Sequence, residues 1–219
     1  MSSLTSSSSI LDDNVNSNKQ KRRLNILLGV SGSVAAVKGP ELAIKLSKVA
    51  NVKVIMTQRG KYFWNLTETY NKEMFDQFNT MENIQVYEDK DEWDVYKVVG
   101  KDEVVHIELR RWADVMVIAP ASANTIAKLA QGLCDNLLTC VARAWDFKQD
   151  KLIICPAMNT MMWDHPFTLK HLNLLKEIGC SIVEPQEKKL ACGDIGKGAL
   201  EKVDIIVNFV LSSSTSSSK

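Results

Sequence analysis

The sequence predicts an α/β fold in one domain, a doubly wound parallel sheet with helices on both faces, and three observations carry that expectation. Short apolar, β-branched runs, LNILLGV at 24–30, VKVIMT at 52–57 and VMVIA at 115–119, have the length and content of strands covered on both faces. The runs are followed by small or polar residues and then by helical patterns, the alternation that builds βαβ units. The ends of the first and third runs carry short hydroxyl and amide side chains, SGS at 31–33 and SANT at 122–125, at the carboxyl edge where open α/β sheets bind ligands. A chain of 219 residues, 45% of them apolar, can bury the core that such a domain needs.

Taken in order, residues 1–23 are rich in Ser, Asn and Lys, too polar to repay the entropy of ordering, and are expected as a disordered tail. The same reading applies to 212–219, which leaves 24–211 as the folded domain. Leu24–Val30 is the first strand. Its turn offers Gly32, Ser33, Val34 and Ala35 to a ligand and opens a helix patterned by Val34, Val37, Leu42, Ile44, Leu46 and Val49. The glycines spell neither GxGxxG nor GxSxG. The second strand ends in Thr57, Gln58 and Arg59, where a dinucleotide fold places a carboxylate for the adenosine ribose. None is there, which favours a mononucleotide such as FMN, with Arg59 leaving a 2′-phosphorylated dinucleotide as the minority reading.

Phe63 and Trp64 follow, and for each core packing weighs at least as much as contact with a cofactor ring. A short strand is expected at 84–87, and the acidic run EDKDEW at 88–93 reads as a solvated face. The stretch 104–112 is a helix with His106 near its start. The third apolar run is stopped by Pro120, and Ser122, Asn124 and Thr125 then lead a helix that ends near Gln131. Within 132–145 the apolar positions Leu133, Leu137, Leu138, Val141 and Trp145 exceed what a solvated helix needs, which points to a subunit contact or to a helix buried within the monomer. A strand at 151–155 closes at Pro156. The remaining expectations are a helix through His171 to Ile178, a strand at 181–183, a glycine-rich loop holding Cys192, and a last helix at 201–211.

Composition excludes several classes. A net charge of +1 and a single basic cluster, Lys19–Arg23, give no footprint for nucleic acid. No apolar run reaches the roughly 18 residues of a membrane span, and the N-terminus lacks a secretory layout. The expectation is a cytoplasmic protein, with the nucleus left open. Five cysteines at 134, 140, 155, 180 and 192 contain no CxxC pair, which argues against a disulfide framework and against zinc, so no metal is expected. His165 and His171 lack a carboxylate partner at ligand spacing and read as surface or packing residues.

Three motifs carry a resemblance. PASANT at 120–125 resembles the flavin-contacting loop of the flavin-dependent cysteine decarboxylases, PAMNTMMW at 156–163 fits that family's substrate motif, and LACGDIGKGAL at 190–200 is similar to the flap of its branch acting on phosphopantothenoylcysteine. The resemblance spans about 24–210. It implies a flavodoxin-like or Rossmann-like fold, FMN as cofactor, and decarboxylation to 4′-phosphopantetheine on the way to coenzyme A. Loss of CO2 from a cysteinyl carboxylate leaves a carbanion without an electron sink, and the cofactor provides one. By resemblance His106 is the base of the oxidative half, Asn159 orients the substrate, and Cys192 protonates the enethiol. The resemblance adds Phe63, Ala123 and Ala157 to the cofactor contacts and Met158, Lys189 and Ala191 to the substrate contacts, with Lys189 meeting the phosphate. It also implies a homotrimer with sites at subunit boundaries. The alternative is a regulatory, inhibitory subunit of a protein phosphatase, and a heteromeric partner is left open.

Overall fold

The apolar runs become strands because each alternates its side chains between two covered faces. In order, the elements are β1 (Asn25–Val30), a 3₁₀ turn at Val34–Lys38, α1 (Gly39–Ser47), β2 (Asn51–Met56), α2 (Gln58–Asn65), α3 (Thr67–Tyr70), α4 (Lys72–Asn79) and β3 (Gln85–Tyr87). There follow α5 (Asp89–Trp93), α6 (Val105–Trp112), β4 (Val115–Ala121), α7 (Ala123–Ala130), α8 (Leu137–Arg143) and β5 (Lys151–Pro156). The chain closes with α9 (Thr160–Trp163), α10 (Pro166–Glu177), β6 (Ser181–Ile182), β7 (Gln186–Lys189), β8 (Ile195–Ala199) and α11 (Val203–Thr215). The structure, a computed structural model, describes residues 22–94, 96–189 and 195–215. The predicted site residues Ala191 and Cys192 lie outside the described residues, as do 1–21 of the expected N-terminal tail.

Six strands form one parallel sheet in the order β3-β2-β1-β4-β5-β6, and β7 pairs antiparallel with β8 as a separate hairpin. That order reverses between β1 and β4, which makes the gap beyond their carboxyl ends the topological switch point. Ile26, Leu28, Val54, Val117 and Ile153 face one way, against Leu42 and Leu46 of α1 and Ile206 and Val210 of α11. Leu27, Ile55, Met116, Ile118 and Ile154 face the other way, against Leu109 of α6, Ile126 of α7, Leu138 and Val141 of α8 and Leu175 of α10. Each such side chain contributes roughly 1.5–3 kcal/mol by leaving water. Among the described residues no helix is long and apolar enough to cross a membrane.

Several expectations are corrected. Pro120 does not stop its strand: β4 continues to Ala121 through a cis Ala119–Pro120 bond. The ladder to β5 shifts register between Ile118 and Ala121, so the N–H that proline lacks is not missed, and the Pro120 carbonyl instead accepts the Ser31 N–H at 3.1 Å. The first helix is two pieces, because Pro40 at the head of α1 starts a new helix after the 3₁₀ turn, leaving Val34 and Val49 exposed. The segment 132–136 is a loop with Leu133 exposed, and Asn136 caps α8 by accepting the Thr139 N–H at 2.9 Å. Leu137, Leu138, Val141 and Trp145 are buried in the chain's own core, so their apolar surplus is absorbed within the protomer. The expected C-terminal tail gives its first four residues to α11. At the other end Arg22 pairs with Asp114, and the Arg23 guanidinium donates to the Ser47 carbonyl at 2.5 Å.

The acidic run is the largest correction. Glu88 pairs with Lys61 at 2.7 Å, Asp89 accepts the Leu137 N–H at 2.9 Å and so caps α8, and Asp91 accepts the Glu88 N–H at 2.7 Å. Glu92 is buried. The run is a junction, with the carboxylates of Glu88, Asp89 and Glu92 spent on partners 14 to 48 positions away.

Candidate functional site

The carboxyl ends of β1 and β4 are tied together by Ser31, which is fully buried. Its hydroxyl donates to the Pro120 carbonyl at 2.9 Å and accepts the Ser122 N–H at 2.8 Å, so one side chain fixes both strand ends at the switch point. Ser122 caps α7, accepting the Thr125 N–H at 3.3 Å and donating to the Thr125 hydroxyl at 3.2 Å. Ser33 opens the 3₁₀ turn and accepts the Ala35 N–H at 3.4 Å. On the far side of β1, Thr57 caps α2 by accepting the Gly60 N–H at 3.0 Å. Here α2 rests on the strand end itself: a Cβ on Gly60 would stand 2.2 Å from the Val30 carbonyl oxygen, and one on Gly32 would stand 2.6 Å from the Arg59 Cβ.

A cleft of about 620 Å³ opens over this junction, lined on one side by Gly32, Ser33, Val34, Ala35 and Phe63 and on the other by Ser122, Ala123, Ala157, Met158 and Asn159. These ten predicted residues converge. Val37, Lys38, Tyr70, Met162, Lys188 and the strand-end residues Gly198, Ala199 and Leu200 complete the lining and were not among the predicted contacts. The signal for Lys38 was the spacing of three along the 3₁₀ turn, which puts it on the face of Ala35; Tyr70 and Leu200 had none. Among the described residues no Asp or Glu lines the cleft. Lys38 is half-buried, and burial together with the charge of Lys188 beside it lowers its pKa below the ordinary lysine value.

The hairpin of β7 and β8 is rooted on the Asn159 loop, where the Met158 N–H donates to the Gly198 carbonyl at 2.9 Å. Gly198 has φ +139°, and a Cβ there would meet the Met158 carbonyl oxygen at 2.5 Å, so the position needs glycine on both counts. Asn159 caps α9, its Oδ1 accepting the Met161 N–H at 2.8 Å.

Other predicted residues fall elsewhere. Thr125 is buried behind Ser122, and Asn124 is exposed on the first turn of α7, so neither lines the cleft. Thr57, Gln58 and Arg59 stand outside the lining because α2 turns up directly from β2, with Arg59 touching the cleft only through Gly32. Phe63 reaches the cleft, whereas Trp64 is core, edge-on to Phe78 with ring centroids 4.9 Å apart. The side chain of Lys189, at the end of β7, lies outside the described residues, and Lys188 before it lines the cleft. His165 and His171 stack on either side of Phe167 at 5.6 and 5.5 Å. Cys155 and Cys180 are core residues, the Cys180 thiol pushed by burial up to about 12.

His106 is half-buried on α6, across the sheet from the 3₁₀ turn, and does not line the cleft of its own chain. Its Nδ1 lies 2.6 Å from Glu92 Oε1, and its backbone N–H donates to Glu92 Oε2 at 2.9 Å.

A parallel sheet in this order, with a cleft at its switch point floored by serines, rimmed by lysines and lined by no Asp or Glu among the described residues, defines a nucleotide-binding α/β protein suited to a flat anionic ligand. The Flavoprotein family model matches residues 14–215. The chain belongs to that family. It is 48% identical over 189 residues to a probable phosphopantothenoylcysteine decarboxylase of Arabidopsis thaliana, covering 86% of this chain and 88% of the relative. Among solved structures, a PPC decarboxylase mutant complexed with pantothenoylaminoethenethiol superposes with a TM-score of 0.78 at 44% identity, covering 87% of this chain and 98% of the other. The FMN binding protein AtHal3 gives 0.78 at 43% identity, covering 90% and 100%.

Proposed function

We propose that the chain is an FMN-dependent decarboxylase converting 4′-phosphopantothenoylcysteine to 4′-phosphopantetheine in coenzyme A biosynthesis. The observation that carries this reading is the switch-point cleft, with the Asn159 loop on one wall, two lysines at its rim and no carboxylate among its described lining residues. The residues present fit FMN: Ser33, Ser122, Phe63 and Ala157 would hold it, in a cleft whose described lining residues offer hydroxyls and apolar surface but no competing carboxylate. When bound, FMN supplies the electron acceptor that oxidises the substrate thiol and returns the electrons after CO2 has left. Asn159 presents its amide NH2 to the substrate carboxylate while staying uncharged, since its Oδ1 already accepts the Met161 N–H. Lys38 and Lys188 grip the substrate phosphate, and an anion between them offsets both the burial and the repulsion from Lys188 that lower the Lys38 pKa. His106 takes the thiol proton in the oxidative half, and Cys192 returns a proton to the enethiol in the reductive half.

Because His106 lies away from its own cleft, the base at each cleft comes from a neighbour, and we take the assembly to be a homotrimer. Mixing His106→Asn with Asn159→Ala protomers should then regain activity that neither has alone; a monomer by sedimentation at assay concentration would defeat this. The four described cysteines are all free thiols, which supports a reducing compartment, and we place the protein in the cytoplasm. The central test is a flavin spectrum of the purified protein with CO2 release from phosphopantothenoylcysteine. Protein that holds FMN yet releases no CO2 would favour the phosphatase-regulatory alternative, which rests on kinship alone.

A further inference from the structure

We propose that Glu92 is the positioning residue for His106, holding its imidazole in the tautomer whose Nε2 is open to take a proton. The inference rests on the reading of His106 as the base and adds the group that makes it one. Glu92 is only 7% exposed, and both of its oxygens go to one residue, Oε1 to the imidazole Nδ1 at 2.6 Å and Oε2 to the backbone N–H at 2.9 Å. An ionised carboxylate can only accept, so the proton between Oε1 and the ring sits on Nδ1. The lone pair of a neutral ring is then on Nε2, the nitrogen that faces away from Glu92.

The two contacts act together. Val104 at the head of α6 has no side chain that can cap it, and Glu92 Oε2 takes up one of the unpaired first-turn N–H groups instead. The carboxylate that meets the ring is therefore held in place by the backbone that carries the ring, and any turn of the imidazole breaks the 2.6 Å contact at Nδ1. A buried carboxylate orienting an imidazole by its Nδ1–H is the arrangement that prepares a histidine base in other enzymes.

The test uses the FMN-loaded protein with ¹⁵N-labelled histidine. In the wild type the His106 signals should show Nδ1 protonated and Nε2 bare. Glu92→Gln offers one acceptor oxygen; with that oxygen kept on the backbone N–H, its NH2 faces Nδ1, which must accept, and the ring proton moves to Nε2. Substrate-driven flavin reduction should fall by about 100-fold or more, as for loss of a general base, while the dissociation constants for FMN and substrate stay unchanged. Glu92→Asp keeps two acceptors and should recover the tautomer and part of the rate. A wild-type spectrum with the proton on Nε2 would overturn the proposal without any variant, even if Glu92→Gln failed to fold. Normal reduction by Glu92→Gln beside blocked reduction by His106→Asn would overturn it alone. Normal reduction by both would overturn the base reading and the proposal with it.

Discussion

Two groups of buried polar residues flank the carboxyl edge of the sheet, and they are made of different materials. Around the switch point Ser31, Ser122 and Thr125 are joined by neutral hydrogen bonds of 2.8 to 3.3 Å, the two serine hydroxyls each both giving and receiving. Beyond the end of β3 a buried carboxylate meets a histidine at 2.6 Å. Neutral hydroxyls hold a shape without preferring one protonation state of whatever binds, which suits the place where a cofactor rests. A carboxylate–imidazole pair fixes where a proton sits, which suits the place where one is moved. The chain keeps the two apart, so the floor on which a cofactor rests carries no group that titrates with the base.

The comparison can be broken first at its charged end. His106→Asn should leave FMN binding intact and lower the rate of substrate-driven flavin reduction by about 100- to 10,000-fold. Stopped-flow absorbance reads this directly, and reduction within a few-fold of wild type would remove His106 from proton transfer. Next comes the rim. Lys38→Met should raise the substrate KM by about 10- to 100-fold, the worth of one charge-assisted hydrogen bond, with kcat held. The sign with pH follows from the lowered Lys38 pKa: the cation is lost sooner than an ordinary lysine's as pH rises, so the wild-type KM should climb at alkaline pH. An alkaline limb of equal steepness in the variant would assign that titration elsewhere.

At the neutral end, Ser31→Ala leaves the buried Ser122 N–H without its acceptor and should cost roughly 1–3 kcal/mol in denaturant unfolding, with weakened FMN retention. Unchanged stability with unchanged FMN affinity would show that the two strand ends do not need their tie. The smallest effect is expected at Asp89→Ala, which leaves the Leu137 N–H at the head of α8 without its acceptor while Asn136 still caps the helix, and should cost about 0.5–2 kcal/mol while sparing the rate. A rate loss there comparable to His106→Asn would mean that the junction at 88–93 acts on the base as one unit.

The neutral group was legible in the sequence because its signal is local: an apolar strand run, then small polar residues, then a helix pattern, within about a dozen positions. The alternation that sorts Leu27 from Leu28 onto opposite faces was legible for the same reason. Pro120 misled because the rule that proline ends a strand assumes a ladder in register, and here the ladder shifts between Ile118 and Ala121. Glu92 was illegible. Its run has the composition of a solvated face, and its partner lies 14 positions on, so only the packing of α5 and α6 decides that this carboxylate is buried. Lys188 had no signal of its own, because only the rooting of the β7–β8 hairpin on the Asn159 loop brings it to the cleft.

The seam between α2 and the end of β1 has a further consequence. Most contacts in a core are negotiable, since a methyl lost on one element can be made up by a larger side chain on the next. Against Gly60 the facing atom is the Val30 carbonyl oxygen, and neither side has a part that can be exchanged. The spacing there behaves as a fixed gauge. Phe63, three residues further along the same helix, forms part of the cleft wall, so the width of that wall is inherited from backbone against backbone. Relatives can replace the side chains around this gauge over long divergence while the opening keeps admitting the same ligand.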